Sequence, residues 1–114
     1  MNKRRNDRIG KRLFVRFGKE KPDKVGFTED VSETGLFIKT NTVFNPGTQL
    51  KLELTLPDEK VIQVAGLVMW AKQVPQNLLR FTKKCGMGVR LTQNSEHFTR
   101  FVAMLNRESK GAGP

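Results

Sequence analysis

A chain of 114 residues holds one core and not two, and a composition of 37% hydrophobic and 28% charged residues with eight Phe excludes a disordered polymer. No stretch approaches the roughly 18 apolar residues of a membrane span, and the basic start MNKRRNDR has no apolar segment behind it, which excludes a secretory signal and leads us to expect a cytoplasmic protein. Of the formal net charge of +10, residues 1–24 carry +7, with ten Lys and Arg against three acids, so the N-terminus attracts phosphates of nucleic acid, anionic membrane or nucleotide unless it is only a solvated tail.

Residues 1–10 are expected to be a flexible basic segment. Met1 and Ile9 are their only large apolar side chains, too little burial to offset about 1–2 kcal/mol per residue of backbone ordering. RLFVRF, Arg12 to Phe17, then reads as a first strand. KVGFTED and TGLFIKT are two further strands joined through DVSETG, Asp30 to Gly35, and FNPGTQ closes the second with an Asn-Pro-Gly turn. In LKLELTL, Leu50, Leu52, Leu54 and Leu56 alternate with Lys51, Glu53 and Thr55, one face for the core and one for solvent.

After PDEK comes the longer strand VIQVAGLVMWAK, where Gly66 marks a bulge or sharp bend. A loop with Pro75 leads to the strand-like LRFTKKCGMGVRL. The helical period appears last, in NSEHFTRFVAMLNR: Asn94 or Ser95 is the N-cap, Glu96 lies in the first turn, and Phe98, Phe101, Val102 and Leu105 form a stripe to pack on the barrel or cover one open end. The fold class expected is mainly β, a six- to seven-stranded antiparallel β-barrel over residues 11–107 with a C-terminal α-helix, followed by a disordered tail at 108–114.

Enzyme chemistry finds little support in these residues. His97, the only histidine, sits in the first helical turn, far in sequence from Cys85, the only cysteine. Neither a catalytic triad nor a metal site can be assembled from them. Cys85 has no internal disulfide partner and reads as an inert thiol. GMG, Gly86 to Gly88, is too short for a dinucleotide loop, and no helix follows it.

DVSETG admits two readings. Asp, Ser and Gly are the residues of a tight turn. Alternatively, Asp30 and Ser32, two apart on extended backbone, point to one face, and Gly35 lets something approach the main chain.

RRNDR, Arg4 to Arg8, followed after 22 positions and one strand by DVSETG, resembles the PilZ family of bacterial cyclic di-GMP receptors. GLFIKT, the Pro-Gly turn, LKLELTLP, VAGLVMW, GMGVRL and the terminal helix extend the resemblance over about residues 3–105. It implies a non-enzymatic second-messenger receptor in which Arg4, Arg5 and Arg8 on a mobile segment, and Asp30, Ser32 and Gly35 on the barrel, bind the dinucleotide from two sides. Lys3, Gly86 and Gly88 are further candidates, and Lys3 holds the position that the family ties to one or two bound ligands. No cofactor or metal is implied.

The chemistry suits the residues. Arginine's planar fork binds phosphate bidentately, pairs with guanine O6 and N7, or stacks on a purine. Asp30 can accept from guanine N1 and N2, and Ser32 can donate or accept at the same edge. With one domain in the chain, the output would pass through an effector protein in trans, by ordering of the N-terminal segment. The alternative is a basic barrel that binds RNA or single-stranded DNA. The absence of Tyr, with most Phe at inward positions, deprives that alternative of its aromatic platform.

Overall fold

The computed structural model describes residues 8–73 and 85–112, with side chains to Glu108. Seven strands and one helix follow in order: β1 Ile9–Gly10, β2 Phe14–Gly18, β3 Lys24–Val31, β4 Gly35–Lys39, β5 Gln49–Thr55, β6 Val61–Lys72, β7 Gly86–Gln93 and α1 Glu96–Ala112. Every pairing is antiparallel, in the order β1-β3-β2-β5-β6-β7-β4. A further β3–β4 pairing joins the ends, so β2 to β7 form a closed six-stranded barrel. Closure leaves no open edge in the ring. β1 is the additional strand, set beside the end of β3 through Ile9↔Val31 and Gly10↔Asp30.

The core follows from the period of two. Leu50, Leu52, Leu54 and Leu56 are buried, whereas Lys51 is exposed and Glu53 and Thr55 are half-buried. Val15 and Phe17 from β2, Leu36 and Ile38 from β4, and Met87 and Val89 from β7 fill the same interior. Phe98, Phe101, Val102 and Leu105 of α1 complete that cluster. At about 1.5–3 kcal/mol for each fully buried large apolar side chain, this stripe is enough to hold the helix on the barrel. Its start is capped by Ser95, whose Oγ accepts the His97 amide at 3.2 Å, while Asn94 Oδ1 accepts the Ser95 amide at 2.7 Å. The structure thus chooses Ser95 over Asn94.

Two boundaries differ from the sequence reading. The helix continues to Ala112, into the stretch expected to be a tail, because nothing from Glu108 to Lys110 breaks a helix before Gly111. Ile9 and Gly10, expected within the flexible segment, are strand β1: Ile9 packs against the core, and both residues pair with β3. Lys3, Arg4, Arg5, the Pro75 loop and the LRFTKK start of the last expected strand lie outside the described residues.

Candidate functional site

Two β-bulges shape the outer face near the C-terminal end of β3. Between β3 and β4 the register runs Thr28↔Ile38 and then Asp30↔Phe37, leaving Glu29 as an extra residue. Thr28 is buried, so strict alternation would turn Asp30 inward. The bulge turns it outward instead. Between β6 and β7 the register passes from Val68↔Val89 to Trp70↔Gly88, with Met69 extra. Ile62, Val64, Gly66 and Val68 point inward, and the same alternation would have buried Trp70; it is 49% exposed.

The two re-aimed residues line a common cleft. Trp70 stacks on Phe37 with ring centroids 5.2 Å apart and an interplanar angle of 21°. Arg8 Nη1 donates to Asp30 Oδ1 at 2.7 Å, with side chains 45% and 31% exposed. Arg8, Glu29, Asp30, Phe37, Trp70 and Lys72 line a cleft of about 370 Å³. A second cleft of about 240 Å³ shares Arg8 and Trp70 and reaches Gly35, Gly88 and Arg90. The pair of clefts offers two aromatic rings, two carboxylates and three cations on one surface.

Ser32 is not on that surface. β3 ends at Val31, the chain turns, and Ser32 is fully buried. Its Oγ donates to the Gly35 carbonyl at 3.1 Å and accepts the amides of Thr34 at 3.2 Å and Gly35 at 3.1 Å. Its amide also donates to the Gly35 carbonyl at 2.8 Å. Asp30 and Ser32 therefore do not share a face, since the extended geometry that would align them stops between them. The turn is pinned from outside as well: Asn94 Nδ2 donates to the Glu33 carbonyl at 2.9 Å, and the Leu91 amide to that of Thr34 at 2.8 Å.

The main-chain approach permitted by Gly35 comes from within the barrel. A Cβ there would lie 2.6 Å from the Val89 carbonyl oxygen on β7. Gly88 has the corresponding role under the indole, since a Cβ would collide with Trp70 Nε1 and Cε2. At Gly86 it would collide with the Ile38 carbonyl and crowd the Phe37 ring. The glycines of GMG thus let Trp70 and Phe37 lie close against β7. Sequence reasoning missed Trp70, Phe37, Lys72 and Arg90 as cleft residues; the available signal was a Trp at an alternation-inward position opposite a glycine strand.

The PilZ domain model matches residues 2–105. The chain belongs to the PilZ domain family. PilZ domains are regulatory receptors for cyclic di-GMP as a family. Among solved structures, this PilZ chain is similar to the Bacillus subtilis inhibitor of motility, MotI/DgrA, with a TM-score of 0.74 and 16% identity. All of this chain is covered, but only 54% of that one, so it spans about half of the neighbour's length and the likeness speaks for the fold alone. No curated protein matches. Of the family motifs, the described residues place Arg8 and Asp30 in contact and keep Ser32 and Gly35 for the turn. Among the described residues, no helix of this PilZ domain is long and apolar enough to cross a membrane.

Proposed function

We propose that this chain is a cyclic di-GMP receptor that binds its ligand in the outward cleft and signals through a protein partner. The observation that carries the reading is the convergence of the Arg8–Asp30 pair and the Phe37–Trp70 stack on one surface. Trp70 offers a half-exposed ring for one guanine. Asp30 has a carboxylate oxygen beyond the one bonded to Arg8, suited to guanine N1 and N2. Arg8 supplies the fork for guanine O6 and N7 or for phosphate, and Lys72 and Arg90 add positive charge for the phosphodiesters. Arg4, Arg5 and Lys3 would close over the ligand from the N-terminal side. Ser32 and Gly35 act by holding the turn that presents Asp30.

The nucleic-acid alternative meets a different obstacle from the one the sequence suggested. Aromatic surface is present, since Phe14, Phe27 and Trp70 are all exposed. Asp30 in the cleft lining, however, would repel a passing phosphate backbone, whereas it complements a guanine edge.

Calorimetric titration tests the reading, with cyclic di-GMP beside its linear dinucleotide and GMP. Saturable binding of the cyclic ligand, at least about tenfold (~1.4 kcal/mol) tighter than the controls, is expected. Equal affinity for all three, or none for any, would defeat it.

A further inference from the structure

The outer face of β2 and β3 carries a second aromatic feature, outside the lining of the clefts. Phe14 and Phe27 face each other across the strands, 38% and 37% exposed, with centroids 5.7 Å apart and planes at 67°. The Arg12 guanidinium lies over the Phe27 ring, 4.0 Å from its centroid. The pairing registers extend this into an outward row across the barrel: Lys39, Phe27, Phe14, Thr55, Val61. A neighbouring row runs Val25, Arg16, Glu53. Val25 and Val61 are each 57% exposed. Four large apolar side chains therefore stand open, with Arg12, Arg16 and Lys39 among them.

We propose that this face docks a partner protein that presents an apolar side chain among carboxylates. Exposed aromatic side chains combined with arginine are the composition of interface anchors, and the surrounding cations call for acidic residues opposite. A second copy does not fit, because at a net charge of +10 it would bring like charge to the contact. Single-stranded nucleic acid fits less well: the Arg12 guanidinium covers a face of Phe27, and the Phe14–Phe27 pair packs edge to face rather than as a parallel platform for successive bases. The surface is continuous with the cleft. Phe27 lies three residues before Asp30 on β3, and Lys39 lies two after Phe37 on β4. A docked partner would border the bound ligand, which is how occupancy would be read; this step rests on the receptor reading above, while the docking face itself does not.

The test selects random phage-displayed dodecapeptides on the full chain, then maps each recovered peptide by amide chemical shifts. The expected peptides are enriched in Asp and Glu beside aromatic or branched residues, and their shifts centre on Phe14, Val25 and Phe27. Affinity should fall at least about tenfold in Phe27→Ser and in Arg12→Glu, while cyclic di-GMP titrates into both variants as into the parent. Peptides without acidic enrichment, shifts centred elsewhere, unchanged affinity in both variants, or no recovered peptide would each overturn the proposal. So would oligo(dT) that shifts these amides and loses binding in the same variants. If the parent fails to bind cyclic di-GMP while the peptides map here, the ligand reading falls and the docking face stands.

Discussion

The two halves of the barrel obey different rules. β2, β5 and the first part of β6 pair without a register shift, Phe14↔Thr55 through Gly18↔Lys51 and Gln49↔Leu67 through Thr55↔Val61. The β3–β4 and β6–β7 pairings are each interrupted by bulges. The regular half yields a core of alternating leucines. The interrupted half yields the cleft, because an extra residue is what turns Asp30 and Trp70 from the interior to the surface. Regular pairing supplies stability and the exceptions supply chemistry.

Substitution can separate the two. The largest effect on stability is expected in the regular half, where Leu54→Ala should cost about 2–5 kcal/mol by deleting a fully buried side chain. Denaturant titration reads this, and the affinity of the molecules that remain folded should not change. An affinity loss with unaltered stability would place ligand chemistry in the wrong half.

Arg8→Ala should invert the pattern. Losing a charge-assisted contact weakens binding by about 2 kcal/mol, roughly thirtyfold, whereas the half-exposed ion pair with Asp30 contributes less than about 1 kcal/mol to stability. Unchanged calorimetric affinity would remove Arg8 from the site.

Ser32→Ala falls between them. It leaves the amides of Thr34 and Gly35 without their acceptor, at a cost of about 1–2 kcal/mol in stability. Binding should weaken only through a loosened turn, visible as faster amide exchange at Thr34 and Gly35. An affinity loss equal to that of Arg8→Ala, with exchange unaltered, would make Ser32 a direct contact.

The smallest effect expected is that of salt. A ligand with two phosphates should lose at most about tenfold in affinity between roughly 50 and 200 mM salt, and a loss of several decades would indicate an extended polyanion.

How much of this was legible in the sequence follows the same division. LKLELTL announced its buried face because nothing disturbs its alternation, and the helical stripe from Phe98 to Leu105 announced its own. The family resemblance and the barrel were readable from motif order and strand count. Asp30 was singled out, but its outward aim depends on the bulge at Glu29, which periodicity does not encode. Trp70 was quoted only as part of a strand, since a bulge opposite glycines is a property of two strands together. The shared face expected of Asp30 and Ser32 fails for a local reason: two residues apart means one face only while the backbone stays extended, and here it turns after Val31. Ile9 and Gly10 are ordered by partners 22 and 20 positions away, which a local count of apolar residues does not capture.

Trp70 is the chain's only tryptophan, so its fluorescence reports the cleft and nothing else. Titration of cyclic di-GMP against indole emission is therefore the most direct measurement of whether the ligand seats between Asp30 and Trp70. The account predicts a saturable change in emission with the same midpoint as the calorimetric isotherm, lost in Asp30→Ala. Calorimetric binding that leaves Trp70 emission unaltered, or an emission change that survives Asp30→Ala in full, would contradict it.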